Sequence, residues 1–243
     1  MIYLAVEIAC QSCSFRIPDF QNYQKTYELP PPTTIFGMAG AALGFSPKST
    51  QEFFDEGFEF GVCGSSMGKT NDLWKFRNRV IPQKKNNYQH FQASILRREL
   101  LFNSRFIIVF GHADRTKITY LYEAFNNPEY ALSLGKSDEL AKIVDLDIVN
   151  ETINCDYLKD CIVDGDLLQE SLENPDEADF SLKAGDNPIQ YEVPVAFKYD
   201  ADYGVRRVAK RKQLSFLGAA TYIKGIKRKG ILFKGHQIPT FTI

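Results

Sequence analysis

Three consecutive prolines, Pro30, Pro31 and Pro32, stand directly before a stretch that carries no charge until Lys48. The prolines forbid helix upstream and hold the chain extended. Thr33 and Thr34 offer side-chain oxygens as N-caps, so a helix is predicted from near Ile35. A helix so free of charge has to be buried. Gly37, Gly40 and Gly44 fall on one face of it, with Ala41 beside them. Glycine costs roughly 0.8–1 kcal/mol in a helix interior, so three of them predict close backbone approach, most simply against a sheet. No Gly-Lys-Ser/Thr follows, which argues against a phosphate loop and a nucleotide cofactor.

Of the 243 residues 44% are hydrophobic, enough for a substantial core in one domain with an elaboration. No run of 18 apolar residues and no secretion signal is visible, so a cytoplasmic protein without membrane contact is expected. The five cysteines, at 10, 13, 63, 155 and 161, read as reduced, buried thiols. Cys10 and Cys13 make half of a zinc site, but no second pair or close histidines complete it, and no metal is expected.

Ile2, Leu4, Val6 and Ile8 alternate with Tyr3, Ala5, Glu7 and Ala9 as a first strand. Phe58, Phe60 and Val62 alternate again. Ala93 to Phe102 and Arg105 to Gly111 read as two strands joined at Asn103-Ser104, Ile118 to Phe125 as a helix, and Ile143 to Val149 as a strand. This is the βαββαβ order of a ferredoxin-like (RRM-like) domain, predicted for residues 1–150. The class is α+β, with a basic β-hairpin inserted at about 67–92 and a C-terminal β-rich extension over 151–243, acidic and then basic. Asn150 to Asn187 is a poor core former. Glu192 to Phe197 and Leu214 to Leu217 read as strands, and Gln237 to Ile243 as an edge strand.

The net charge of −1 conceals sorted blocks. Lys69 to Lys117 holds eleven basic against three acidic residues, a balance of +8. Asp138 to Glu192 holds sixteen acidic against three basic, −13, and Lys198 to Lys234 holds eleven basic against two acidic, +9. Trp74, Phe76, Tyr88 and Phe91 are interleaved with Lys75, Arg77, Arg79, Lys84 and Lys85. Rings that stack on bases beside cations that hold phosphates suit single-stranded RNA.

The stretch from Phe15 to Gly44 also resembles the N-terminal signature of the CRISPR-associated Cas-five family, a RAMP-superfamily subunit that caps one end of the Cascade complex. The resemblance is carried by Phe15-Arg16-Ile17-Pro18, by Tyr27-Glu28-Leu29-Pro30-Pro31-Pro32-Thr33, and by Gly37 and Ala41-Ala42-Leu43-Gly44. Tyr130 to Gly135 looks like the family's Tyr-x-Leu-Gly element with two extra residues. The resemblance implies a noncatalytic subunit of a type I complex, I-B among the subtypes, that grips the 5′ handle of crRNA. Its implied partners are the Cascade backbone and large subunits, with target DNA reached only through the complex.

The resemblance makes the inserted hairpin a thumb and places Arg16 on a phosphate near the helix N-terminus, where the dipole favours anions. Lys69, Trp74, Lys75, Arg77, Arg79, Lys84 and Lys85 are the candidate thumb contacts, and Arg97, Arg98 and Arg105 the candidate palm contacts. Some relatives cut precursor RNA without metal, using a tyrosine, a lysine and a histidine. His112, Tyr27 and Lys117 are the candidates for that chemistry here. No Lys-His neighbour pair is present, so the expectation is a protein without nuclease activity. The alternatives are a metal-independent endoribonuclease and an RRM-like RNA-binding protein outside CRISPR systems.

Overall fold

A computed structural model describes the chain except residues 21–22, 55–56, 81–89, 174–178 and 182–189; for 76–80, 90–93, 179–181 and 219–221 only the backbone is described. In chain order the elements are β1 (Ile2–Cys13), β2 (Tyr23–Gln24), α1 (Pro32–Leu43), α2 (Pro47–Phe54), β3 (Glu59–Val80), β4 (His90–His112) and α3 (Arg115–Asn126). They continue with β5 (Ala141–Val149), β6 (Ile153–Asp164), α4 (Leu167–Glu173), β7 (Asp179–Ser181), β8 (Gln190–Tyr199), β9 (Arg206–Phe233), β10 (His236–Pro239) and β11 (Phe241–Thr242). The fold is therefore mixed, with four helices and one large sheet among the described residues. The main path of the sheet runs β10-β9-β6-β3-β4-β1-β5. All the pairings described are antiparallel except that of β2 with β4.

β1 is buried on both of its faces. Leu4, Val6, Ile8 and Cys10 belong to one core with Ile35, Met38, Ala39, Ile118 and Leu121 of the helices. Tyr3 and Ala5, pointing the other way, belong to a second core with Leu158, Cys161, Leu217, Ile223 and Ile231 of β6 and β9. The alternation seen in the sequence thus separates two cores and not core from solvent. On the second face Glu59 accepts from the Tyr3 hydroxyl at 2.6 Å, from Lys229 Nζ at 3.0 Å and from Thr240 Oγ1 at 3.1 Å, tying β1, β3, β9 and the C-terminal segment together.

α1 departs from the expected start. Its N-cap is Pro31, extended at φ −70° and ψ 158°, and no side chain caps it. The Pro31 carbonyl already accepts from the N–H groups of Thr34 and Ile35, which places both threonines inside the first turn. The glycine stripe also divides. Gly44 is the left-handed C-cap, with φ 72°. Gly40 is where another backbone element comes close: a Cβ there would run into the Thr50 side chain of α2, with Cγ2 2.8 Å away. The close approach is helix on helix, not helix on sheet. Gly37 has nothing within 4 Å of a Cβ position and faces open space.

β3 and β4 form one hairpin, paired from Glu59↔Gly111 to Val80↔His90. β4 is continuous where two strands were expected. Asn103 takes a left-handed φ of 47° and opposes Met67, and the ladder to β1 steps over it between Ser12↔Phe102 and Cys10↔Ser104. The expected tip of this hairpin, Pro82 to Asn87, lies outside the described residues.

The largest correction concerns the acidic region. β6 runs through it, between β3 and β9 in the sheet order, with Cys155, Leu158, Cys161, Ile162 and Val163 buried. Its register slips at Cys155/Tyr157 and at Lys159/Cys161, so a strict period of two is absent and the strand is hidden in the sequence. β9 extends far beyond the Leu214 to Leu217 strand read from the sequence, and Arg206 to Lys212 lie within it, opposite β8. The terminal segment splits into β10, which pairs with β9, and β11, which pairs with β3. All five cysteines are free and buried. Among the described residues no helix is long and apolar enough to cross a membrane.

Gly40→Ala is expected to lower stability by about 1–3 kcal/mol through overpacking against Thr50. Gly37→Ala is expected to be neutral, or stabilising by up to about 1 kcal/mol. Urea denaturation of the two variants distinguishes this division of roles from a uniform glycine face.

Candidate nucleic-acid interface

Cations from three distant parts of the chain meet at the start of α1. A cavity of about 440 Å³ there is lined by Arg16, by Thr33 and Thr34 of the first helical turn, by Gly135 and Lys136, and by Arg206. Pro32 has no N–H, no acidic residue sits in the first turn and no side chain caps it, so the partial positive charge of the helix end is left uncompensated.

Local structure explains each position. Arg16 is exposed in a bridge with Thr26, where Phe15 N–H donates to Thr26 Oγ1 at 2.7 Å and Tyr27 N–H to the Phe15 carbonyl at 2.8 Å. Lys136 is fixed by Glu139, a carboxylate only 2% exposed. Glu139 accepts from the N–H groups of Ser14 and Lys136, both at 2.9 Å, and from the Ser14 hydroxyl at 2.7 Å. Gly135 is needed in this turn: its φ is 125°, and a Cβ would meet the Ser14 carbonyl oxygen at 2.5 Å. Arg206 arrives on the β8–β9 ribbon, which is held to α2 where Phe197 N–H donates to Gln51 Oε1 at 2.8 Å.

Lys136 is the most telling member. Its Nζ is buried and has no hydrogen-bond partner among the described residues, and it stands 3.7 Å from the centre of the Trp74 ring. Burial, followed by the neighbouring Arg98, pushes its pKa down. A buried ammonium without an acceptor is costly, and an anion placed in this cavity would relieve it.

The cations proposed from sequence sort into three groups. Arg16, Lys75 and Arg97 are exposed, Arg97 lying 5.1 Å from the Tyr23 ring. Trp74, 40% exposed, stands between Lys136 and Arg98. Lys69, Arg98 and Arg105 form ion pairs with carboxylates of the fold. Lys69 bridges Glu28 and Glu99 at 3.6 and 3.8 Å, and Arg105 pairs with Glu7 at 3.1 Å. Arg98, buried, meets Asp72 at 2.8 Å, Glu139 at 3.4 Å and Asp138 at 3.6 Å. Burial opposes its charge, but these carboxylates win and hold its pKa above the ordinary value. The side chains of Arg77 and Arg79, and all of Lys84 and Lys85, lie outside the described residues.

The second basic block divides in the same way. Lys212, Lys229 and Lys234 pair with Asp164, Glu59 and Glu7 at 2.9, 3.0 and 2.6 Å, and Arg228 pairs with Glu170, while Arg206, Arg207, Lys210 and Arg211 are exposed. Asp164, Glu170 and, through Lys234, Asp145 of the acidic stretch are thus counter-charges of this block, while Glu59 and Glu7 come from elsewhere in the chain. Lys136 and Arg206 were not singled out in the sequence. Their only signals were the Leu134-Gly135 element just before one and the basic block containing the other.

The residues considered for cleavage do not gather at this cavity. Tyr27 lines it but is buried against Tyr191 and Phe216, with ring centroids at 4.7 and 5.0 Å, and burial pushes its hydroxyl up to about 12. His112 and Lys117 both pack on Phe58, at 4.7 and 5.8 Å, and neither lines the cavity. His112 Nδ1 accepts from Asp114 N–H at 2.9 Å.

The sequence model of the family described as "CRISPR-associated protein (Cas_Cas5)" matches residues 3–209, well over half of the chain. The protein belongs to this CRISPR-associated family. No curated protein matches in sequence. Among solved structures, a CRISPR protein from Archaeoglobus fulgidus superposes over 100% of both chains with TM-score 0.51 and 10% identity, a likeness of fold. A chain of a CRISPR RNA-guided surveillance complex matches with TM-score 0.44 and 14% identity, covering 58% of this chain and 60% of its own. A chain of a Type III-B Cmr-beta complex bound to cognate target RNA and AMPPnP matches with TM-score 0.46 and 12% identity, over 92% of this chain and 86% of its own. The protein therefore spans about 60% of the length of the surveillance-complex chain it matches.

Glu139→Ala removes the acceptor of two backbone N–H groups and one partner of buried Arg98. A loss of about 3–5 kcal/mol is expected, as when a buried ion pair is broken on one side. Comparison with exposed Asp138→Ala, expected to change stability by less than about 1 kcal/mol, measures the difference by chemical denaturation.

Proposed function

We propose that the protein is a noncatalytic RNA-binding subunit of a type I CRISPR complex, working in the cytoplasm, and that the cavity at the start of α1 holds backbone phosphate of the crRNA 5′ handle. One observation carries this reading: Lys136, whose buried Nζ has no hydrogen-bond acceptor among the described residues, shares a cavity with Arg16, Arg206 and a helix N-terminus without a side-chain cap. A helix dipole and converging cations are what favour a phosphate. Family membership supplies the CRISPR context.

The strand order β3-β4-β1-β5, antiparallel throughout and joined through α1 and α3, supports a ferredoxin-like reading of residues 1–150. In this reading the outer part of the β3–β4 hairpin is the thumb, and exposed Lys75 and Arg97 extend the basic surface beyond the cavity. The backbone and large subunits of Cascade are the protein partners, and target DNA is reached through them.

The test is binding of single-stranded repeat-handle RNA across a salt series. Arg16→Ala, Lys136→Met and the pair together are expected to weaken binding and to flatten the slope of log K against log salt by about 0.7 for each phosphate no longer neutralised. Slopes equal to that of the unaltered protein would remove the cavity from the interface. In parallel, repeat RNA incubated with the protein in EDTA is expected to stay intact; cleavage abolished by His112→Ala would replace the scaffold reading with a ribonuclease.

A further inference from the structure

A second cavity, of about 530 Å³, opens directly beside the first and shares Thr33, Gly37, Ala41, Phe197 and Arg206 with it. Its character is different. Phe36, Phe45, Tyr130, Phe197, Tyr199 and Tyr203 supply its walls, and Arg206 is the sole charged residue in its lining. Tyr203 and Tyr130 stand at the rim, 81% and 56% exposed. Two rings exposed together at the mouth of an aromatic-walled cavity form the kind of contiguous apolar surface that marks a binding site.

Two details say what that is. Arg206 belongs to both cavities, and its guanidinium lies 4.8 Å from the centre of the Phe197 ring, so one side chain presents charge to the first and a planar stacking surface to the second. Gly37 also lines both, and nothing lies within 4 Å of where its side chain would begin. Gly37 thus adds no side chain between the two spaces it lines. A phosphate cavity that shares a glycine with an aromatic one matches the two parts of a nucleotide, and the volume lies within the range of small-molecule pockets, about 300–1,000 Å³. An apolar side chain from a protein partner would fill the second cavity but would have no use for its continuity with the cationic one.

We propose that the second cavity receives a single nucleobase, splayed out of the same RNA strand whose phosphate is held by Arg16, Lys136 and Arg206. The proposal rests on the RNA reading of the first cavity and adds the element that strand would be gripped by. Tyr203 and Tyr130 are the stacking partners, Arg206 links base to phosphate, and Gly37 adds no side chain between them. Rings recognise any base by its face, so this grip fixes the register of the strand more than its sequence.

The test uses the full chain and single-stranded RNA of about 8 nucleotides, within the footprints of single-strand binders, carrying 2-aminopurine at each position in turn. Stacking is expected to quench the fluorescence at one position only. Tyr130→Ala with Tyr203→Ala should restore that fluorescence and weaken binding about 10-fold, at the lower end of what a base–aromatic stack contributes. An abasic nucleotide at the same position should cause the same loss, with no further loss when it is combined with the variant. Gly37→Leu, which fills a position with free space, should reproduce the effect without loss of thermal stability.

If RNA binds and responds to Arg16→Ala and Lys136→Met, but no position is quenched and the aromatic variants bind normally, the base pocket is overturned while the phosphate site stands. If no RNA binds at all, both fall. If the aromatic variants keep their RNA affinity but lose assembly with other subunits, the cavity belongs to a protein partner and the proposal is wrong.

Discussion

Burial of β1 on both faces is the constraint from which the rest of the architecture follows. A strand whose Leu4, Val6 and Ile8 and whose Tyr3 and Ala5 all need cover requires one layer on each side. The helices supply one layer. The other is supplied by β6 and β9, which pack the second core behind the strands. Once β9 is committed there, its first residues continue past the sheet and, paired with β8, cross to the helical side. This is how Arg206 comes within the same cavity as Arg16, 190 positions earlier in the chain.

The electrostatics follow from the same packing. Lysines and arginines that lie over the body of the sheet find carboxylates: Lys229 finds Glu59, Lys234 finds Glu7, Lys212 finds Asp164. Those at the start of α1 form no ion pair among the described residues. The oxygens of Glu139 are taken up by two backbone N–H groups, the Ser14 hydroxyl and Arg98. It holds the turn that carries Lys136 and supports the ammonium only through its field, without a hydrogen bond to it. A fold with more negative than positive side chains can in this way still keep a compact positive site.

The sequence was readable where one local signal was enough. The prolines and the uncharged run announced a buried helix, and alternation announced β1. It was unreadable where several distant residues had to be combined. β6 carries Asp156, Lys159 and Asp160 between its buried residues and two register slips, so neither polarity nor period gave it away. Counting charge did not show that Lys69, Arg98 and Arg105 find carboxylates in other elements, and it passed over Lys136, a single lysine beside acidic neighbours. The glycine stripe was one pattern in sequence but three roles in space: a close approach at Gly40, a cap at Gly44 and an opening at Gly37.

Ultraviolet crosslinking of bound single-stranded RNA, read by mass spectrometry of the chain, reports most directly whether this convergent surface is where nucleic acid lies. Adducts are expected in the peptides that carry Arg16, Thr33 to Gly37, Lys136 and Tyr203 to Arg206, residues that meet only in the folded protein. Adducts confined to the acidic edge at β5, or spread evenly over the chain, would contradict the account.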